Sequence, residues 1–348
     1  MTKMQIEGAE SPSIIRKQLI ENNSILSNVA KIIKKRNIPF CLTVGRGSSD
    51  HAATFAKYLF ETRLGLVTAS AAPSVTSIYK SKLRLKDSLV ISISQSGQSS
   101  DICDVIAYAK KSGAITVSFV NDVTSPLAYA SEYVIPLMAR EELSVAATKS
   151  FIASISSIIQ LVTHLTDDIA LKKALEILPE SLDSALQSTL PPELLSEMSI
   201  INDIIVLGRG FGYPLAQEAA LKLKETCSIH AEAISGAEIL HGPFALMKEN
   251  FPFIMLCQSD NTLEGMIKLA VKIKTLKGKI FLFIPSNILK TNIYNSSSIV
   301  VKLPESIHPI CDPILFIHSF YRFASNLSLH MGFDPDEPPN IFKVTNTI

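Results

Sequence analysis

Residues 89–121 read LVISISQSGQSSDICDVIAYAKKSGAITVSFVN. The near-continuous apolar run LVISI suits a strand buried on both faces, SSDICDVIAYAKKSG suits a helix closed by a glycine, and AITVSFVN returns to a buried strand. A strand, a helix and a strand in so short a stretch form a crossover between parallel strands. The same alternation extends outward, with FCLTVG leading into SDHAATFAKYLFETR upstream and YVIPL following a loop downstream. The expected fold class is therefore α/β, a doubly wound, flavodoxin-like parallel sheet flanked by helices.

The pattern then repeats. TVGRG (43–47) is answered by VLGRG (206–210), and Gly208 minus Gly45 is an offset of 163. SISQS (92–96) is answered by MLCQS (255–259), with Gln258 minus Gln95 again 163, and the strand at Val117 is expected opposite Ile280 at the same offset. Three elements in constant register argue for an internal duplication. The expected organisation is an N-terminal helical segment (1–36), a first α/β domain (37–165) and a helical linker (166–199) broken at Pro191 and Pro192. A second α/β domain (200–330) and a C-terminal tail (331–348) complete it.

The chain of 348 residues is 47% apolar and 19% charged, which excludes disorder and leaves room for two ordinary cores. Its 33 basic and 32 acidic residues leave a net charge of +1 with no long basic block, so neither nucleic acid nor an anionic membrane is an expected partner. Five scattered cysteines without a C-x-x-C pair read as buried thiols in a reducing compartment. MTKMQIEGAESPS lacks the apolar segment of a secretion signal, and the uncharged stretch 151–165 is too short to span a bilayer and reads as a buried or interface helix. A cytoplasmic location is expected.

The loop SQSGQSS gathers hydroxyls without a lysine or arginine among them. Ligands of open parallel sheets bind beyond the carboxyl ends of strands, where a helix N-terminus offers unpaired N–H groups and partial positive charge. Ser94, Gln95, Ser96 and Ser99 around Gly97 then read as a phosphate cradle, with Ser48 and Ser49 of GRGSSD as a second small-residue turn. An ordinary helix cap would account for any one of these serines. The GRG pair lacks the spacing of a dinucleotide fingerprint and no acidic ribose partner is evident. The second copy carries Cys257 in place of Ser94 and Asp260 in place of Gly97, so it is expected to have lost its own phosphate site.

The second half opens with GRGFGYPLAQEAALKLKETCSIHAEAISGAEILHGPFAL (208–246). Lys222 and Glu225 lie three apart on one helix face, followed by His230, Glu232, Glu238 and His241. A surface ion pair explains the first two as well as catalysis does, and satisfied core or interface histidines explain His230 and His241. The H-x10-H spacing fits no standard metal site, so no metal is expected.

ALKLKE, IHAEA and E-x-x-HGP, together with SQSG, VAATKSF (145–151) and the tail DEPPNIFKVT (336–345), resemble the sugar-isomerase (SIS) half of glucosamine-6-phosphate synthase. The similarity runs in order through nearly the whole chain, and it implies two tandem SIS domains acting on phosphosugars. By this resemblance Ser48, Ser49, Ser94, Gln95, Ser96, Ser99 and Val145 bind substrate. Glu225 moves a proton between sugar C1 and C2, and His241, supplied by a neighbouring subunit, opens the ring. Lys222 lies near the reacting carbons and Lys343 reaches back to the open-chain sugar. Ala147 replaces a serine of the family pattern, and the tail register slips by one residue after Lys343.

GRGSSDHA, SQSG-x-S-x-DI, VND, AATKS and GRGFGY are similar to the SIS-type glucosamine-6-phosphate deaminases. No glutaminase segment or N-terminal nucleophilic cysteine is apparent in the sequence. The resemblance therefore implies hydrolytic deamination of glucosamine-6-phosphate to fructose-6-phosphate and ammonia in amino-sugar catabolism, without cofactor, by a homodimer. Alternatives are a galactosamine-6-phosphate deaminase, a fructosamine-6-phosphate deglycase, an aminotransferase-like isomerase served by a separate glutaminase, and a non-catalytic phosphosugar sensor.

Overall fold

A computed structural model describes residues 1–289 and 298–343. The chain divides into two compact units. The first comprises Ser13–Glu142 and Lys149–Glu176 with the end of the tail; the second comprises Met1–Pro12, Leu143–Thr148 and Ile177–Ile341.

The first unit holds strands β1 (Cys41–Val44), β2 (Thr68–Ser70), β3 (Leu89–Ser94), β4 (Ile115–Val120) and β5 (Tyr133–Pro136). They form one parallel sheet in the order β2-β1-β3-β4-β5, the doubly wound order expected from the sequence. Every residue of β1, β3 and β4 is buried, as strands covered on both faces require. Ile102, Val105 and Ile106 of the helix Ser100–Lys111 pack against Val44, Val90 and Val120. The helix Lys149–Thr166 is buried from Lys149 to Thr163, so the uncharged stretch forms part of this unit's core.

The second unit holds β6 (Asp203–Gly208), β7 (His230–Ser235), β8 (Pro252–Leu256), β9 (Lys279–Pro285) and β10 (Ser298–Leu303) in the order β10-β9-β8-β6-β7. Read from β7, this is the order of the first sheet. Leu42 pairs with Val90 in the first sheet and Ile205 with Phe253 in the second, so both partners are displaced by 163. The third strand departs from that offset. Ile91 pairs with Val117, whereas Ile254 pairs with Phe281, so the counterpart of Val117 is Phe281 and not Ile280. The helices Ser100–Lys111 and Leu263–Thr275 start in register, but the second has 13 residues against 12, and the extra residue shifts the strand that follows.

Residues 1–36 form three helices, Lys3–Ala9, Ser11–Glu21 and Asn23–Lys34. The first begins with a capping box between Thr2 and Gln5 and belongs to the second unit, where it packs on the helix Asp312–His330. The span 166–199 holds the helices Ile169–Gln187 and Pro192–Met198, interrupted at the two prolines. Phe283, Phe316, Phe320 and Phe323 cluster with ring centroids 5.3 to 5.9 Å apart, fixing the helix Asp312–His330 to its sheet. Among the described residues, no helix is long and apolar enough to cross a membrane.

Candidate active site

In the first unit, the chain leaves β3 through Ser94 and turns at Gly97, whose φ is +65°. A Cβ there would lie 2.0 Å from Ser125 Oγ, so only glycine fits. Ser94 Oγ accepts the Gly97 N–H at 3.0 Å and Ser96 Oγ accepts the Gln98 N–H at 3.3 Å, which shapes the loop from within. Ser99 stands at the N-cap of the helix Ser100–Lys111, yet its side chain makes no capping hydrogen bond. The capping alternative therefore does not account for Ser99, and its half-buried hydroxyl is left for another partner.

Ser48 and Ser49 open the helix Ser48–Leu64 after Gly47, and neither is fully exposed. Arg46, in the same turn, donates from Nε to Asp101 Oδ2 at 3.0 Å, with Nη2 closer still. Asp101 is 2% exposed in the first turn of the other helix. The arginine thus offsets the Asp101 carboxylate and ties the two turns together, while Asp50 remains in the first turn of the helix Ser48–Leu64. Two helix starts and a ring of hydroxyls remain, an arrangement suited to phosphate.

Lys343 lies 2.9 Å from Glu142 Oε2. Glu142 is buried and also accepts from Ser150 N at 3.1 Å and Ser150 Oγ at 2.7 Å. The tail lysine is therefore held by a carboxylate that sequence reasoning did not single out.

In the second unit, the helix Tyr213–Cys227 carries Glu218, Lys222 and Glu225. Lys222 and Glu218 have no exposed side-chain surface, which rules out the surface ion pair. Lys222 Nζ lies 3.4 Å from Glu218 Oε1 and 2.5 Å from Glu225 Oε2. The latter approach is outside hydrogen-bond geometry, so charge holds that oxygen in place. Tyr321 donates its hydroxyl to Glu218 Oε1 at 3.1 Å. A lone buried ammonium would cost several kcal/mol, and here two carboxylates offset it. Glu225 keeps 22% of its side-chain surface accessible, so one carboxylate faces outward with a buried cation behind it.

Val145 and Ala147 are half-buried in a segment that Glu7 anchors by accepting the Leu143 and Ser144 N–H groups at 2.5 and 3.1 Å. His241 is exposed after the turn Glu238–Leu240, and no hydrogen bond or ion pair of its ring to the described residues joins it to Lys222 and Glu225. His230 is exposed and pairs with Asp203 at 3.0 Å at the amino ends of their strands, so neither histidine belongs to a core. Among the described residues, no cluster of three or more histidines, cysteines or acids is placed to hold a metal.

The second unit's copy of the serine loop is filled from within. Asp260 accepts from Thr262 N at 2.8 Å and from Gln258 Nε2, while Asp312 Oδ2 accepts from Ser259 N and Oγ at 2.7 and 2.6 Å. Burial raises the Asp312 carboxyl above its usual range, against the pull of Ser259 and Ser306. Two of the protein's own carboxylates occupy donors that an anion would otherwise use.

Comparison with known proteins identifies the family and the fold. The SIS domain matches residues 31–164 and 198–326. Glutamine–fructose-6-phosphate aminotransferase (isomerizing) of Methanothermobacter thermautotrophicus is 30% identical over 339 residues, 96% of this chain and 55% of that protein. The protein of the same name from Bradyrhizobium diazoefficiens is 32% identical over 323 residues, 90% of this chain and 52% of that one. The chain spans about half the length of these curated relatives. A solved structure from Silicibacter pomeroyi, provisionally named a phosphosugar isomerase, is 35% identical with a TM-score of 0.89, covering 97% of this chain and 100% of that one. The C-terminal domain of glucosamine-fructose-6-phosphate aminotransferase from Francisella tularensis is 25% identical with a TM-score of 0.86, covering 97% and 98%. Two matched segments, each containing one of two sheets of the same strand order, establish that the chain belongs to the SIS-domain family.

Proposed function

We propose that the chain is an aldose–ketose isomerase of phosphorylated amino sugars that converts glucosamine-6-phosphate and water to fructose-6-phosphate and ammonia. The observation that carries this reading is Glu225, a partly accessible carboxylate 2.5 Å from the wholly buried Lys222. Such a pair can move a proton beside a developing oxyanion. In this reading Ser48, Ser49, Ser94, Gln95, Ser96 and Ser99 hold the phosphate, and Val145 and Lys343 contact the sugar. His241, an exposed imidazole, passes the proton that opens the ring, acting in a partner subunit of a homodimer.

Glu225 then takes the C2 proton of the open-chain aldehyde. The C–H electron pair forms a C1–C2 double bond, and the charge that reaches O1 is stabilised by the Lys222 ammonium. Return of the proton to C1, with a proton passing from the C2 nitrogen to O1, yields a 2-imino ketose phosphate, to which water adds at C2 as ammonia leaves. The deaminating direction is supported by the likeness of GRGSSDHA, SQSG, VND, AATKS and GRGFGY to the SIS-type deaminases. A second reading, amination of fructose-6-phosphate, is favoured by the names of the curated relatives.

The test is ammonia release from glucosamine-6-phosphate, beside N-acetylglucosamine-6-phosphate and galactosamine-6-phosphate. Release from the first alone, lowered roughly 10²- to 10⁴-fold by Glu225→Gln, is the expected result. No ammonia from any of them would defeat the deaminase reading, and glucosamine-6-phosphate formed from fructose-6-phosphate and ammonia without release would favour the second. Mixing inactive Glu225→Gln and His241→Ala proteins is expected to restore part of the activity through hybrid dimers; no rescue would place the histidine's role within one chain.

A further inference from the structure

The amino ends of β6, β7, β8 and β9, at the end of the second sheet away from its loop Gln258–Asp260, border a trough of about 1110 Å³ lined by Asp203, His230, Pro252 and Lys279. Lys248, Lys274, Lys277 and Lys279 line its β8–β9 side, and Asp203 and Glu232 line its β6–β7 side. The trough is thus polarised across its width.

The internal duplication shows which of these lysines the fold repeats: by the offset of 163 Lys274 stands where the first copy has Lys111, while the other three have no charged counterpart. Asn250 N donates to Lys277 O at 2.8 Å as Asp87 N does to Gly113 O at 3.1 Å, and Lys279 N donates to Phe251 O as Ile115 N does to Ser88 O, both at 2.9 Å. Lys277 therefore stands where the first sheet has Gly113, and Lys279 where it has Ile115. By the offset of 163, Lys248 stands where it has Leu85. The same turn closes in the first sheet with none of these three charges. Lys277 even adopts φ +62°, a conformation that Gly113 takes without strain.

Two of the lysines face acids at the rim, Lys277 with Glu249 at 3.2 Å and Lys279 with Glu197. The Lys277 pair is exposed, and such pairs are weak and yield readily to a stronger anion, whereas Lys279 is half-buried. Burial also lowers the Lys274 ammonium, an effect that an anion placed beside it would reverse.

We propose that this trough is a second ligand site, taking a phosphorylated small molecule whose phosphate lies on the lysine wall and whose hydroxyl or ammonium donors face Asp203 and Glu232. Inorganic pyrophosphate is the probe, titrated calorimetrically into the wild type, the Lys248→Gln/Lys274→Gln double variant and Ser96→Ala. The expected result is a binding component that is weakened at least tenfold in the double variant, persists in Ser96→Ala, where only binding at the serine loop is altered, and is reduced by added salt. No heat of binding in the wild type would overturn the proposal, as would binding lost in Ser96→Ala and kept in the double variant. A wild type that does not bind, paired with a double variant that sediments as a smaller species, would instead make the trough a contact between copies of the chain. Circular dichroism verifies that the variants fold, and no turnover is measured, so the outcome is independent of the proposed enzymatic activity.

Discussion

Lys222 is an ammonium with no exposed surface, set 3.4 Å from Glu218 and 2.5 Å from Glu225. Its value to the fold and its value to chemistry can be separated. Lys222→Met keeps the length and removes the charge, leaving Glu218 buried and uncompensated. Loss of one partner from such a cluster is expected to cost about 3–5 kcal/mol, read as a lower urea midpoint. Lys222→Met/Glu218→Gln removes both buried charges and keeps an oxygen to accept the Tyr321 hydroxyl. It is expected to recover most of that stability while turnover stays low, because the oxyanion still lacks its cation. Recovery of turnover along with stability would show that Lys222 serves packing alone.

The loop between β3 and the helix Ser100–Lys111 depends on one backbone choice. Gly97→Ala places a Cβ 2.0 Å from Ser125 Oγ at φ +65°. Either Ser125 must leave its place as the cap of the helix Pro126–Ala130, or the turn must open. A loss of roughly 1–3 kcal/mol is expected with a raised KM for the phosphosugar, and an unchanged KM would remove this loop from the phosphate site. Elements of this kind were legible because their constraints are local. Gly45 and Gly208 recur because a Cβ at either would lie 2.6 Å from the Ser49 backbone or 2.2 Å from Gly212 O, where strand end meets helix start. The one-residue slip at Phe281 was hidden because a helix can gain a residue without losing its apolar pattern. The site divides in the same way. Lys222 and Glu225 share a helix face, and four serines share one short stretch. Arg46 finds Asp101 across 55 residues, Tyr321 finds Glu218 across 103, and Lys343 finds Glu142 across 201. No periodicity announces such pairs. Glu218 alone left a signal, standing four residues before Lys222, the spacing of a helical ion pair.

With 33 basic and 32 acidic residues the molecule is nearly neutral at pH 7, and buried groups whose titration is shifted add their own contributions to its response to acid. His318 is the clearest of them. It is 3% exposed, neither ring nitrogen has a hydrogen-bond partner among the described residues, and burial pushes it down from 6.5 to about 4, with Asp183 raising it and Arg322 lowering it further. Between these two values the unfolded chain binds a proton that the folded chain refuses. The stabilisation is therefore complete above pH 6.5 and lost as pH falls towards 4, by about 3 kcal/mol in all. Asp312 acts in the opposite sense, because its raised carboxyl holds a proton that the unfolded chain releases, so its contribution weakens as pH rises above 3.8. The two can be told apart by substitution. The chain has no tryptophan, so unfolding in urea is best followed by far-ultraviolet circular dichroism at pH 7, 5.5 and 4.5. The wild type is expected to lose stability across this series, and His318→Leu, which replaces an unsatisfied ring with an apolar side chain, is expected to flatten the decline. Equal slopes in the two proteins would show that the imidazole finds a partner in solution and that acid sensitivity arises from other groups.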